Sequence, residues 1–440
     1  MQIASTVRKL TGLAVTQARL GLSASELERV QLRKLRRVLH DAWERVPLYR
    51  EKLEKANLRP VDLETLADLS RFPITEKDEI RDSFPRGCIA AGTDLSRCRI
   101  QQTSGSTGQC LEIALDSRSD DMRTLFTQRV YGMQGFRFWR RMAYLFPYEL
   151  PLRKGNAGLY RNRWFSTKLA PQSILEGLRA WRPHLLAATP SDLLELCDGL
   201  GDDLRELGLE AICVHSEPMS QDERAHVAAV FGCRIATNYY CNEVWAIAAE
   251  CRSGALHQFP DNVALEIVDA LGRPVPRGER GHVLVTSLHN YVQPFIRYRL
   301  GDIAAWEPDT GPCGCGLDLP RLRALEGRDD DYLEYPDGRR VHPSRITVAV
   351  KSPCFDHPGA QIFRDYRITQ DGPAHVTVQI VPGRDAQQLP ACAEAGRANL
   401  ARLLGAPFRV DLQILSALPR GSGGKRKIVE RTLSTGDTTS

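Results

Sequence analysis

The sequence predicts an α/β protein: a large N-terminal domain of sheets covered by helices, with an antiparallel subdomain, and a small, mobile α+β C-terminal domain. Three observations predict this fold. Helical and strand patterns alternate from 171 to 250, which favours a parallel sheet with helices on its faces. From about 253 to 306 the pattern changes to hairpin-like strands. After a charged segment at 326–331, a tail of about 110 residues has strands and a helix of its own.

Length and composition indicate a globular protein of two or more domains. The chain has 440 residues, of which 42% are hydrophobic and 26% charged, with a net charge of +5. This small charge, without a long Lys/Arg block, gives no case for nucleic-acid binding. No apolar run approaches the roughly 20 residues of a membrane span, and no signal-peptide core is present. The 12 scattered cysteines fit a reducing compartment. We therefore expect a cytoplasmic protein without a membrane partner.

Helices are predicted before residue 85. An apolar stripe among basic residues predicts helix within 25–58, and Pro47 begins a second helix there. Thr75, followed three residues later by Asp78, is the predicted N-cap of a further helix. These helices are expected to pack around a core.

Strands and helices then alternate. Short strands are predicted at 98–100, 110–115 and 143–147, with a helix at 117–136. The next elements are helix 174–181, strand 184–188, helix 191–200, strand 211–215, helix 221–231, strand 234–238, and hairpin strands 264–268 and 282–286. The tail has predicted strands at 366–369, 375–381 and 408–415 and a helix at 389–404.

The loop between the first two strands is rich in hydroxyl and glycine residues. Six of the nine residues from Gln101 to Gln109 are Ser, Thr or Gly. Hydroxyls donate hydrogen bonds to phosphate oxygens, and glycines let backbone N–H groups approach an anion. The spacing matches neither a Walker loop nor a dinucleotide fold. Taken alone, the loop is compatible with a phosphate site and with a Ser/Gly-rich surface linker.

Four further unusual stretches follow that loop, at 238–243, 295–302, 327–330 and 419–425. In order and spacing, the five stretches resemble the adenylate-forming superfamily of acyl-CoA ligases, peptide-synthetase adenylation domains and luciferases. The resemblance covers about residues 25–430. Within the superfamily, the chain most resembles the phenylacetate-CoA ligase branch. That more specific resemblance rests on residues 46–50, Glu250-Cys251, Leu256-His257, 297–302 and 313–316.

The resemblance implies a two-step reaction. A carboxylate attacks the α-phosphorus of ATP and expels pyrophosphate, and a thiol, amine or hydroxyl then displaces AMP. ATP, Mg²⁺ and CoA are the implied cofactors, and a small carboxylic acid is the implied substrate. Donors and a cation are needed where charge builds on the phosphate oxygens.

The resemblance also implies a role for individual residues. Glu243 would hold Mg²⁺, Asp302 would bind the ribose hydroxyls, and Arg328 would meet the ribose or the α-phosphate. Lys425 would reach the α-phosphate and the substrate carboxylate. The phosphate donors would be Thr103, Ser104, Gly105, Ser106, Thr107 and Gly108, and the nucleotide site would include Asn238, Tyr239 and Tyr240, the last beside the adenine.

Each charged residue also has a plainer interpretation. Asp302 after Gly301 is equally able to close a turn, and Glu243 to be a solvated acid at a helix start. Arg328 fits a surface ion-pair cluster, and Lys425 a solvated tail charge. In two places the chain departs from its relatives: Gln109 follows the loop where relatives often have Pro and sometimes Lys, and Asn242 stands where Thr or Ser is common. Loop geometry and substrate preference stay open.

The resemblance divides the chain into three parts. Residues 1–327 would form the AMP-binding domain, 328–331 a hinge with Asp330 at the pivot, and 332–440 a small lid domain. In the superfamily the small domain rotates between the two half-reactions. A short charged segment between domains suits a hinge.

The acid pocket is placed by position in the superfamily, near the stretch before Glu243. Aromatic side chains there would suit an aryl acid, but core packing explains them equally well, and His215 also fits a core histidine. The candidates are Tyr144, Phe146, Tyr148, His215, Ser216 and Ala236.

Cys251, His257, Cys313 and Cys315 are a possible structural zinc set, because three cysteines and one histidine are a known zinc donor set. The fold would have to unite two pairs about 60 residues apart. The alternative is four unrelated residues. Related sequences carry similar positions.

Three functions remain in competition. The first is an ATP-dependent acyl- or aryl-CoA ligase. The second keeps adenylation but transfers the acyl group to an amine or a carrier protein. The third is a binding protein on the same fold, against which Glu243, Asp302, Arg328 and Lys425 count. The sequence leaves homodimer formation open.

Overall fold

A computed structural model describes most of the chain in two compact units. The described residues are 11–102, 111–137, 139–147, 149, 161–216, 219, 221–308, 311–326, 332–341, 343–357, 362–383, 385–418 and 429–431. The larger unit contains the described residues of 11–101, 112–146 and 161–326, and most of the smaller unit lies within 332–431. Among the described helices, none combines the length and apolar character needed to cross a bilayer.

Helices open the larger unit, as predicted. They include residues 11–18, α1 (Ala24–Arg45), α2 (Pro47–Lys55) and α3 (Lys77–Ser83). The predicted cap of the third is wrong by one residue: Glu76 precedes α3, and its N–H donates to the carboxylate of Glu79 over 2.7 Å. Thr75 is instead extended, because its N–H donates to Arg297 O and its carbonyl accepts from Arg299 N. An extended β-bridge cannot also begin a helix.

One mixed sheet of eleven strands organises the larger unit, in the order β10-β11-β12-β13-β9-β8-β7-β6-β5-β3-β4. Strands β3 to β7 pair in parallel, and β7 to β13 in antiparallel fashion. The strands are β3 (Arg141–Phe146), β4 (Arg161–Ser166), β5 (Leu185–Ala188), β6 (Ala211–Val214), β7 (Arg234–Cys241), β8 (Trp245–Glu250), β9 (Leu256–Gln258), β10 (Val263–Val268), β11 (Arg280–Ser287), β12 (Tyr298–Trp306) and β13 (Arg321–Glu326). A separate pair is formed by β1 (Arg99–Gln102) and β2 (Glu112–Leu115).

Helices cover both faces of the parallel part of this sheet. They are α4 (Ser117–Met133), α5 (Pro171–Trp181), α6 (Pro190–Leu200) and α7 (Gln221–Phe231). Because neighbouring strand residues point to opposite faces, Ile212 and Val214 of β6 join the core beneath α5, α6 and α7, while Cys213 joins the core beneath α4. The predicted α/β arrangement and the antiparallel strands beside it are confirmed.

The smaller unit is an α+β fold with its own core. Its main sheet has the order β18-β17-β16-β19, and a short pair, β14-β15, precedes it. Buried Ile346, Ile368, Val378 and Leu400 join helices and sheet in one cluster. The elements are β14 (Leu333–Glu334), β15 (Arg340–Val341), α8 (Pro343–Lys351), β16 (Phe363–Gly372), β17 (His375–Pro382), α9 (Leu389–Leu404), β18 (Arg409–Ile414) and β19 (Val429–Arg431).

A buried ion pair ties α4 to the antiparallel strands. Both guanidinium Nη atoms of Arg129 donate to the carboxylate of Asp261, over 2.6 and 2.9 Å, and neither side chain is exposed. Arg19 lies 3.5 Å from the same carboxylate. Burial alone would raise the pKa of Asp261, but the charge and hydrogen bonds of Arg129 hold it at about 2.

Replacing Asp261 by Asn should therefore destabilise the fold strongly. It leaves Arg129 buried without a countercharge, so we expect the free energy of unfolding to fall by about 3–5 kcal/mol in denaturant titrations. Since the folded pKa is depressed, this stabilisation is present above about pH 4 and is lost as the pH falls towards 2. Asp337→Asn, in an exposed pair with Arg339, should change stability little; equal losses in both variants would contradict the argument.

Candidate functional site

The turn between β7 and β8 carries Glu243. It ends at Trp245, whose φ of +70° is strained for a bulky residue. The partly exposed carboxylate of Glu243 accepts a hydrogen bond from the hydroxyl of Tyr298, over 3.3 Å. Tyr298 begins β12 and is buried, with its ring edge-on to Phe295. Tyr298 lies within the stretch 295–302, but its contact with Glu243 has no signal in the sequence.

Asp302 lies further along β12 and is bonded to β7. Its carboxylate accepts from the hydroxyl of Tyr239 over 2.7 Å. In the sheet, β7 and β12 are separated by β8, β9 and β13. At about 4.8 Å per strand, that separation would be about 19 Å if the sheet were flat. The sheet is therefore strongly curved here, and the curvature brings two distant motifs together.

Both carboxylates act on the same phenol. Burial raises the pKa of Tyr239 well above its usual range, and the negative charges of Asp302 and Glu243 raise it further. Tyr239 therefore stays protonated and remains a hydrogen-bond donor. Glu243 and Asp302 are 59 positions apart in sequence, from 243 to 302, yet each is hydrogen-bonded to a tyrosine from the other's stretch.

Arg297, in the same motif as Asp302, holds the fold rather than a ligand. It is buried, has a φ of +46°, and pairs with the carboxylate of Glu266 through Nε and Nη2. Its other donors reach the carbonyls of Ser70, Phe72 and Gly272 over 2.6 to 3.0 Å. All of these partners lie within the larger unit, so Arg297 anchors the start of β12.

Asn238 and Tyr240 belong to the other face of β7. The amide oxygen of Asn238 accepts from Gln134, which directly follows α4, and the ring of Tyr240 is edge-on to Trp245 with centroids 5.4 Å apart. The hydroxyl of Tyr240 is buried and has no hydrogen-bond partner of ordinary geometry among the described residues. Tyr240 packs beside Tyr144 in the core beneath α4. Its proposed place next to adenine stays a prediction.

Several acid-pocket candidates meet at the carboxyl ends of β3 and β6. The rings of Phe146 and His215 are stacked, with centroids 4.8 Å apart and planes inclined by 13°. Nδ1 of His215 lies 2.9 Å from the hydroxyl of Ser216, which has a φ of +71°. Burial lowers the pKa of His215 to about 4, so the ring is neutral at pH 7.

The remaining candidates of this group line the same sheet. Tyr144 of β3 is buried with its ring edge-on to Tyr131 of α4, and Ala236 of β7 pairs with Cys213 of β6. Ligands of open α/β sheets bind outside the carboxyl ends of parallel strands, which is where Phe146 and His215 lie. The assignment of these residues to an acid pocket stays a prediction.

Other predicted site residues lie outside the described part of the chain, and their roles stay predictions. They are Thr103, Ser104, Gly105, Ser106, Thr107, Gly108, Tyr148, Arg328, Asp330 and Lys425.

The four predicted zinc ligands are brought together. One donor atom from each of Cys251, His257, Cys313 and Cys315 lies within 4.8 Å of the others. The Cys251 and Cys313 sulfurs are 3.8 Å apart, and the Cys315 sulfur is 3.3 Å from Nε2 of His257. Tetrahedral zinc with Zn–S bonds of about 2.3 Å requires sulfurs about 3.8 Å apart.

The surroundings of His257 also fit a metal ligand. It is buried, and its Nδ1 lies 3.2 Å from the carbonyl of Leu319. Donation from Nδ1–H to a carbonyl leaves Nε2 free to bind a metal, as is usual for histidine ligands. Because all four positions would be filled by protein, such an ion would be structural.

Comparison with known proteins identifies relatives along nearly the whole chain. No family model matches. A phenylacetate-coenzyme A ligase of Aromatoleum evansii is 26% identical over 435 residues, covering 93% of this chain and 95% of the relative. Along nearly its whole length the chain is similar to phenylacetate-CoA ligases. A phenylacetate-coenzyme A ligase of Escherichia coli (strain K12) is 28% identical over 350 residues, covering 76% of this chain and 78% of the relative.

A solved structure supports the fold of this phenylacetate-CoA ligase-like chain. The 2-hydroxyisobutyryl-CoA ligase in complex with 2-HIB-AMP and CoA is 22% identical, with a TM-score of 0.66. The alignment covers 94% of this chain and 91% of that one. The curated ligases confirm the predicted family resemblance and class of enzyme. The solved structure confirms the predicted α/β fold.

Proposed function

We propose that this chain is an ATP-dependent, AMP-forming acid–CoA ligase. It activates a small carboxylic acid to an acyl-adenylate, releases pyrophosphate, and transfers the acyl group to CoA. The observation that carries the proposal is the pair of hydrogen bonds that join the Glu243 and Asp302 stretches, Tyr239 to Asp302 and Tyr298 to Glu243. A ribose ligand and a magnesium ligand must lie near each other to hold one nucleotide.

In this proposal the described residues prepare the nucleotide site. Asp302, oriented by Tyr239, accepts hydrogen bonds from the ribose hydroxyls. Glu243, oriented by Tyr298, offers a hard oxygen ligand of the kind that Mg²⁺ prefers. Mg²⁺, when bound, would neutralise charge on the phosphates. The donors of Thr103–Gly108, Arg328 and Lys425 complete the set around the phosphates.

We further propose that the acid is small and aromatic. The stacked rings of Phe146 and His215 offer flat, neutral surface at the strand ends. A neutral wall favours an apolar side chain on the substrate, and its carboxylate would point towards the phosphates and Lys425. A panel of aryl and aliphatic acids tests the substrate class directly.

We also propose that the chain is divided into a nucleotide-binding domain, a hinge and a lid. Residues 1–327 would bind the nucleotide, 328–331 would be the hinge, and 332–440 would bring Lys425 to the site for adenylation and remove it afterwards. Homodimer formation, transfer to a carrier protein and a cytoplasmic location stay predictions.

The acceptor of the acyl group distinguishes the proposed CoA ligase from an enzyme that transfers the group to an amine or a carrier protein. Purified protein, ATP and Mg²⁺ are incubated with aryl and aliphatic acids, each with CoA, with amines, or alone. Acid-dependent pyrophosphate release that yields acyl-CoA supports the ligase and identifies its substrate. Acid-dependent pyrophosphate release that gives no acyl-CoA when CoA is present would instead support transfer to an amine or a carrier protein.

We propose that Cys251, His257, Cys313 and Cys315 hold one structural zinc ion. The purified protein should contain about one zinc per chain by elemental analysis, and a strong chelator should lower its melting temperature. Cys315→Ser should lose the metal, whereas Cys98→Ser, outside the set, should keep it. Metal-free protein with an unchanged melting temperature would contradict the proposal.

A further inference from the structure

Arg123 is a buried cation beside the candidate nucleotide site. It lies on α4, and its Nη1 donates to Oε1 of Gln101 over 2.9 Å while Nη2 donates to the carbonyl of Asn242. Its side chain is buried, yet within the described chain it forms no ion pair with a carboxylate. Desolvation lowers its pKa to about 10. Burying a charged guanidinium without a carboxylate partner costs folding free energy. This cost indicates that the hydrogen bonds of Arg123 serve a function.

Gln101 connects the same two segments directly. Its Oε1 also accepts from Nη1 of Arg99 over 3.1 Å, and its Nε2 donates to Oδ1 of Asn242 over 2.7 Å. Two guanidinium donors therefore hold the carbonyl end of the amide, and the amide nitrogen is left to bond Asn242. Gln101 stands two residues before Thr103, where the hydroxyl-rich loop begins, and Asn242 stands one residue before Glu243.

Arg123 also supports the strained end of the Glu243 turn. Its guanidinium lies over the indole of Trp245, 5.2 Å from the ring centroid, and the indole N–H donates to the hydroxyl of Thr127 over 2.8 Å. A positive φ at a bulky residue is strained and persists where the surroundings fix it. Two residues of α4 thus fix Trp245 on one side of Glu243, and Arg123 fixes Asn242 on the other.

We infer that Arg123 is a positioning residue for adenylation: it holds Gln101, near the end of β1, and the Glu243 turn in fixed register. This inference rests on the proposed function, because it gives both segments a role in binding ATP. The planar guanidinium bonds two acceptors at once while stacking on Trp245, which a lysine cannot reproduce. Misplacement of either segment by about 1 Å would cost on the order of 10²-fold in rate.

The test compares Arg123→Lys and Arg123→Met with Arg118→Met, an exposed arginine on the same helix. Kinetics of acid-dependent ATP–pyrophosphate exchange give kcat and the KM values for ATP and acid separately. We expect both Arg123 variants to lose on the order of 10- to 100-fold in kcat/KM for ATP, with an unchanged KM for the acid. Arg118→Met should behave as the wild type.

A second comparison separates positioning from general stability. The double variant Gln101→Leu/Arg123→Met should be little worse than Arg123→Met alone, because both residues serve one network. Folded Arg123→Lys with an unchanged kcat/KM for ATP would overturn the inference, and so would equal changes in the KM values of ATP and acid.

Failure of the proposed function has a different signature. If the wild type catalyses no exchange with any acid, the ligase proposal fails, and the affinity for Mg²⁺-ATP measured by calorimetry becomes the readout. Weaker binding by Arg123→Met than by Arg118→Met would still support the positioning role, whereas equal affinities would overturn it.

Discussion

Lys425→Ala should reduce acid-dependent pyrophosphate release by on the order of 10²- to 10³-fold while leaving ATP binding nearly unchanged. The lysine charge is needed mainly as the α-phosphate reacts, so its loss is felt in the transition state rather than in the bound nucleotide. Initial rates of pyrophosphate release, with ATP affinity measured separately by calorimetry, separate these two effects.

Lys427→Ala is the matched control. It removes the same charge two positions away in the same basic stretch of sequence. If both variants lose activity equally, the effect belongs to the net charge of the tail. Wild-type turnover in Lys425→Ala would remove that residue from the mechanism.

Glu243→Gln should have the second largest effect. Glutamine keeps the size of the side chain and an oxygen that accepts from Tyr298, but it removes the charge that attracts Mg²⁺. We expect pyrophosphate release to fall by on the order of 10²-fold and the Mg²⁺ concentration for half-maximal rate to rise. Titration of the rate against Mg²⁺ at saturating ATP measures both.

Glu279→Gln, at an exposed position of the larger unit, controls for the loss of one surface charge. Its Mg²⁺ dependence should match that of the wild type. An unchanged Mg²⁺ dependence in Glu243→Gln would return Glu243 to the plainer interpretation, a solvated acid in a turn.

The fold was predictable wherever periodicity was strong. The helix predicted at 389–404 and the one at 221–231 are found at those residues, because apolar positions recur at helical spacing and Gly405 ends the first. Strands β4 and β8 were not predicted. Arg161–Ser166 is an edge strand with polar alternation, and Trp245–Glu250 is almost uniformly buried, so neither shows the pattern of a typical half-buried strand.

The candidate site was predictable as a set of residues but not as a geometry. The sequence places Glu243 after β7 and Asp302 on another stretch, yet only the curvature of the sheet brings Tyr239 to Asp302. Similarly, Arg123 resembles any helix arginine in sequence. Its importance depends on tertiary contacts with Gln101, Asn242 and Trp245, which have no local signal.

The four candidate zinc ligands, by contrast, were predictable both as residues and as a cluster. Cysteine and histidine positions gave the four candidate ligands, and the structure brings their donor atoms within 4.8 Å of one another. The pairing of β13 with β9, at Arg321 and His257, explains how the two halves meet.

The most direct test of the central claim is acid-dependent exchange of labelled pyrophosphate into ATP without CoA, followed by addition of CoA. An adenylate-forming ligase should catalyse the exchange with a suitable acid, and CoA should then convert the bound acyl-adenylate to acyl-CoA and AMP. If ATP binds but no acid in a broad aryl and aliphatic panel supports exchange, or if ADP and phosphate are formed instead, the account is contradicted.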